Sequence, residues 1–209
     1  MPFKERFEKA WSEDSIRLFA TPSQPAKKMY YYIQEIGYFH TQEHYFTERE
    51  GLNSYLIIYG LSGIGYLNYR GKRYKVTPGQ LLFINCMEKH DYETDNDDLW
   101  EILWVHFNGS SSKAYFEQFM DHQGPLVSLP KDTKTPYYIE KMILLHKEKH
   151  LQREMLSSNY LVNILTEILV ETNSQYDNKD LPMPAGTAFE SDYCFVHFFL
   201  HKLNHQLFY

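Results

Sequence analysis

The chain has 209 residues with a formal net charge of −6, and 43% of them are hydrophobic, including 18 Tyr and 14 Phe. A length of about 100–200 residues suits one principal core plus an appendage, and this much apolar material excludes a globally disordered chain. The acidic balance, with Lys and Arg scattered, argues against binding a phosphate backbone through this stretch, and no run of about 18 apolar residues offers a membrane-spanning helix.

The opening MPFKERFEKAWSEDS lacks the continuous apolar segment of a signal peptide, so a cytoplasmic location is expected. Residues 1–28 read as a mobile N-terminal arm, because the TPSQP run at Thr21 to Pro25 disfavours a continuous helix. From Met29 to Phe46 the aromatic runs MYYYIQEIGYF and EHYF, broken at Gly37, predict two short strands. Six further strands follow in SYLIIY, IGYLNY, RYKV, QLLFI, HDYET and LWEILWVHF. The separators GLSG, RGK, TPGQ and DNDD can each reverse the chain, and in TPGQ the Pro78-Gly79 pair has the chemistry of a type II turn. Short strands at this spacing predict a closed or sandwiched antiparallel sheet spanning residues 29–110, which hides its edges.

After Gly109 the apolar period becomes helical across residues 111–172. A short piece lies around Ser112 to Met120. A longer one runs from Tyr137 to His150, with Ile139, Met142 and Ile143 on one face. Another runs from Gln152 to Thr172, with a stripe of Leu161, Ile164, Leu165, Ile168 and Leu169. The last two predict a helical hairpin. Residues 173–209 read as a polar linker followed by an aromatic, His-rich tail. Cys86 and Cys194 are too far apart and too few for a metal or disulfide framework, so both read as reduced thiols.

The ordered set Arg49, Gly51, Tyr55-Leu56-Ile57, Gly63 and Gly65, Pro78-Gly79, His90-Asp91-Tyr92, and Trp100 through Trp104 to His106-Phe107 and Gly109 resembles the N-terminal regulatory domain of AraC-type transcription regulators. The similarity covers about Ile16 to Thr172. It implies a mainly β fold with α: a cupin-like (jelly-roll) antiparallel β-barrel followed by a helical hairpin. It also implies a small-molecule effector, often a sugar, held in the barrel, and a homodimer formed through the helices. DNA would be bound only by a double helix-turn-helix that nothing after Asn173 resembles, and truncation or a frameshift is the expected reason. The expected function is therefore sensing and dimerisation, with no catalytic residue, cofactor or metal. The alternative is a single-domain cupin enzyme acting on a sugar or another small molecule.

By the resemblance, Arg49 reaches into the cavity with its five-donor fork, and Tyr92 and Trp104 line it. Read without the resemblance, Arg49 could equally be a surface residue paired with Glu48 or Glu50, and the two aromatics plain core residues. Alternation along LWEILWVHF places Trp100, Ile102, Trp104 and His106 on one face, so Ile102 is also a candidate pocket residue. His90 reads as a pocket-rim or structural hydrogen-bonding residue; a metal cupin would need His-x-His and a Glu from the preceding hairpin, and no His lies between Asn53 and Lys89. His146 with His150, and His197, His201 and His205, have helical spacing that solvated faces also produce. Leu161, Ile164, Leu165 and Ile168 are the candidate dimerisation residues.

Overall fold

The computed structural model describes residues 3–177. Expectations for Cys194, for His197, His201 and His205, and for the linker and tail past Asp177 lie outside the described residues. The elements run β1 (Lys4–Glu8), β2 (Ile16–Phe19), α1 (Gln24–Met29), β3 (Tyr32–His40), β4 (Phe46–Glu50), β5 (Tyr55–Ser62), β6 (Gly65–Tyr69), β7 (Lys72–Val76) and β8 (Gln80–Asn85). They continue with β9 (His90–Thr94), β10 (Glu101–Asn108), α2 (Ser112–Gln123), β11 (Leu126–Ser128), α3 (Thr135–Lys147) and α4 (Arg153–Asp177).

Two antiparallel sheets face each other. One has the order β1-β4-β9-β6-β7 and the other β11-β8-β5-β10-β3-β2. The crossings between them make the expected jelly-roll barrel. The turns act as the sequence suggests. Gly79 has φ of +80°, and the Gln80 amide donates to the Thr77 carbonyl at 3.1 Å, closing the TPGQ turn that leads into β8. Arg70 and Gly71 both take positive φ and form the two-residue hairpin from β6 to β7.

Three features differ from expectation. Residues 3–28, expected to be a mobile arm, carry regular structure: β1 pairs with β4, β2 pairs with β3, and Ser23 caps α1, with Pro25 in its first turn where a missing amide costs nothing. Gly37 does not break its strand but sits inside β3. A Cβ there would press on the Ile16 carbonyl oxygen and lie 2.6 Å from the Trp104 ring, so the residue keeps space for an indole. Finally, α4 runs through Asn173 to Asp177, because the first helix breaker beyond it is Pro182.

The helices cover the outer face of the six-stranded sheet. Leu103, Val105 and Phe107 of β10 point toward them, and Phe83 and Phe107 stack beneath Phe116 and Phe119 of α2. Leu161, Ile164, Leu165 and Ile168 of α4 are no more than 1% exposed within the single chain. The stripe expected at a dimer contact is spent on intramolecular packing. Each such side chain contributes about 1.5–3 kcal/mol there.

Candidate functional site inside the barrel

Strand register builds the barrel interior in rows. On the five-stranded sheet, Glu5, Arg49, His90 and Tyr69 stand opposite one another across β1, β4, β9 and β6, and Phe7, Thr47, Tyr92 and Leu67 form the next row. On the facing sheet, Arg17, Gly37 and Trp104 form one row across β2, β3 and β10, and Glu35 and His106 form the next. Alternate residues point to the same face, so each row delivers its polar groups to one space.

Arg49 is the centre of that space. Its side chain is 8% exposed; Nε donates to Glu5 Oε1 at 2.6 Å, and NH2 lies 3.9 Å from Glu35 Oε2. NH1 meets His106 Nε2 at 2.6 Å, which makes that nitrogen an acceptor and leaves Nδ1 as the protonated nitrogen beside Ser54 Oγ, 3.2 Å away. Arg17 Nε donates to Glu35 in turn. Burial lowers the Arg49 pKa, but Tyr92, Glu5 and Glu35 more than offset this, so the guanidinium stays charged. His106 is held well below the usual histidine range by burial and then by Arg49, so it remains neutral. Burial raises the Tyr92 hydroxyl pKa, and that group too stays protonated.

A cavity of ≈ 20 Å³ opens between the rows, lined by Phe7, Trp11, Arg17, Phe39, Tyr45, Thr47, Arg49, Tyr92 and Trp104. That is room for one or two waters. Trp11 stacks on Phe39 with centroids 4.5 Å apart, and Phe39 leans on Trp104 at 5.1 Å, so the arm and the barrel share one aromatic wall. Three buried polar atoms of the space between the sheets have no partner among the described residues: the donors Trp104 Nε1 and Trp100 Nε1, the latter beside Gly60 and Gly65 and not on the cavity, and His90 Nε2. His90 Nδ1 is engaged by the Glu88 carbonyl at 2.8 Å, so Nε2 is the free acceptor.

The structure therefore brings Arg49, Tyr92 and Trp104 together at the cavity, with His90 behind Tyr92. Ile102 does not line it. It falls in the row of Phe39 and Gly60, 1% exposed, one step further into the core. Tyr45, Thr47, Phe39, Trp11, Arg17, Glu5 and Glu35 were not singled out from the sequence. Alternation through Tyr45, Thr47 and Arg49 would have found the first two. Among the described residues, no group of three or more His, Cys, Asp or Glu is arranged to hold a metal ion. Cys86 is buried, its thiol pushed up to about 12 by burial.

The family model described as the AraC-like ligand binding domain matches residues 32–165. The chain belongs to this family. The AraC-like barrel is also 31% identical, over 85 residues, to the MmsAB operon regulatory protein of Pseudomonas aeruginosa. That match covers 39% of this chain and 28% of the relative, so the chain spans well under a third of that protein's length. Among solved structures, the AraC-like transcriptional activator CuxR is similar with a TM-score of 0.47 and 10% identity, over 64% of this chain and 51% of that one. A cupin protein from Bacteroides fragilis has a TM-score of 0.34 and 19% identity, over 37% of this chain and 67% of its own. A cupin superfamily protein from Desulfitobacterium hafniense also has a TM-score of 0.34, with 13% identity, over 47% of this chain and 81% of its own.

Proposed function

We propose that the AraC-like barrel is the sensory unit of a transcription regulator, binding a small polar effector between its two sheets. The observation that supports this most is the buried polar interior. Arg49 has no surface role at all, and Trp104 Nε1 and His90 Nε2 are left without protein partners although buried polar atoms are nearly always paired. A core evolved for packing alone would carry apolar residues there, since unpaired buried polar atoms cost about 1–3 kcal/mol each. A hydroxylated molecule, a carbohydrate by the family resemblance, would present its C–H face to Trp104 and its hydroxyls to Tyr92 and Arg49.

Small-molecule sites commonly enclose about 300–1,000 Å³, far more than the ≈ 20 Å³ between the rows, so binding requires an element to move. The arm is that element, and its second half is tied to the helices: the Ser23 amide and hydroxyl both donate to Glu154 of α4 at 2.7 Å. Effector binding would thus bias the arm and, through Glu154, the helical unit that presents a DNA-binding domain in a longer protein. We place dimerisation on the outer stripe of α4, where Met155, Val162, Thr166 and Val170 recur at spacings of four and seven and are exposed, instead of on the buried Leu161 set.

Melting curves against neutral sugars, polyols and hydroxy acids test the sensor reading. At least one compound is expected to raise the melting temperature by about 3–6 °C near ten times its Kd. A flat response across the panel contradicts it. Sedimentation of Val162→Glu, expected to be monomeric where the parent chain is dimeric, tests the stripe.

A further inference from the structure

The barrel interior balances its charges only while β1 is in place. Arg17 pairs with Glu35, and Arg49 pairs with Glu5. Glu35 also lies near Arg49, at 3.9 Å, but Arg17 already holds its other oxygen. Two cations and two carboxylates thus cancel. Of these four, Glu5 rides on the least anchored element: β1 is an edge strand whose five residues are all exposed, and it pairs with β4 alone. Its apolar grip is weak, with Phe3 and Phe7 51% and 43% exposed. Glu35 and Arg49 are carried by β3 and β4, each paired on both sides, and Arg17 by β2, also an edge strand but one with three of its four residues half-buried. Opening β1 is therefore the least costly way to enlarge the cavity.

Opening has an electrostatic consequence. Without Glu5, one positive charge stays buried without an anion of its own, a condition that strongly destabilises a folded interior. Hydroxyl groups could replace the lost hydrogen bond but not the lost charge. The guanidinium edge that Glu5 meets is made by Nε and NH2, since NH1 is occupied by His106. Glu5 reaches only Nε within hydrogen-bonding distance, whereas a carboxylate free of the strand can engage both nitrogens as a fork.

We propose that the effector is a small hydroxylated monoanion whose carboxylate replaces Glu5 on Arg49, with Glu5 acting as a built-in competitor. The assignment rests on the sensor reading above and adds the charge class of the ligand. It makes acids related to sugars, of the gluconate or glycerate kind, better effectors than glucose or glycerol. The remaining hydroxyls would meet Trp104 Nε1, Tyr92 and the free His90 Nε2.

Propionate reproduces the Glu side chain beyond Cα and is the probe of choice. In the full 209-residue chain, Glu5→Ala is expected to lower the melting temperature, and propionate to recover about 2–4 °C of it, while the neutral isostere propionamide recovers none. The double variant Glu5→Ala, Arg49→Met should not respond to propionate. Because Glu5→Gln keeps the shape of the strand contact, it covers the case in which the alanine variant misfolds; propionate should bind it at least tenfold more tightly than it binds the parent chain. Equal rescue by propionamide, or none by propionate in either variant, overturns the carboxylate assignment. That failure leaves the sensor reading intact, which falls only if neutral polyols and hydroxy acids alike leave the parent chain unshifted.

Discussion

Gly37 and Glu140 illustrate how single residues hold this barrel in one state. The Trp104 ring lies across Gly37, with the Ile16 carbonyl oxygen on the other side. Gly37→Ala should destabilise the fold by about 1–3 kcal/mol through overpacking and should displace the indole, seen as a shifted tryptophan emission maximum; an unchanged spectrum and midpoint would contradict that placement. Glu140, on α3, is pushed up to about 7 by burial, partly offset by Lys141, and its Oε1 has no partner among the described residues. Its folded pKa is raised, so its contribution is fully present below the unfolded value of about 4.5 and is lost as pH rises through 7. His146, pulled down to about 4 by burial and then by Arg153, has the opposite sign: its contribution is present above the ordinary value of 6.5 and is lost as pH falls toward 4. The two slopes overlap in the parent protein. Glu140→Gln separates them and should be more stable than the parent by about 2 kcal/mol at pH 8.5 and equal to it at pH 4, measured by urea unfolding.

Among elements, the arm and α4 depart most from what the sequence conveys. Seven barrel strands, β3 and β5 to β10, were legible because period-2 alternation and turn chemistry are local signals, as at Thr77 to Gln80, whereas EHYF, read as a strand, is mostly the turn before β4, which begins at Phe46. Arg49, Tyr92 and Trp104 were legible through their places in an ordered motif set, and alternation along β10 added the face on which Trp104 lies. Ile102 was assigned to the correct face but the wrong depth, because periodicity gives the side of a strand and not the distance along a cavity. Glu5, Arg17 and Glu35 were not legible: their meeting depends on how β1 and β2 register against distant strands, and no local pattern encodes that. The same holds for α4, whose widest apolar stripe serves its own barrel and whose narrower stripe of Met155, Val162 and Val170 faces outward. The arm and α4 meet at Ser23 and Glu154, where two hydrogen bonds join α1 to the start of the long helix. Glu154→Ala should cost about 1 kcal/mol and, by uncoupling the two elements, change effector affinity by no more than about fivefold. Hydrogen exchange along α4 would then no longer respond to effector; a retained response would show that the signal takes another route.

For the whole molecule, the two sheets and the helices divide the labour. The helices cover the outer face of the six-stranded sheet with apolar side chains, and the inner faces of both sheets carry charge, aromatic rings and three unpaired polar atoms. An all-apolar interior would be easier to stabilise, so the polar one marks where function resides. The arm closes that interior, supplies two of its four charges, Glu5 and Arg17, and reaches the helices, so occupancy of the barrel would be joined to the disposition of α4 through one segment of chain. Calorimetric titration of the compound that most raises the melting temperature, into the parent chain and into Arg49→Met, tests this most directly. The barrel as sensor predicts one site per chain in the parent and at least a hundredfold loss of affinity in the variant; undiminished binding to Arg49→Met would place the effector elsewhere and contradict it.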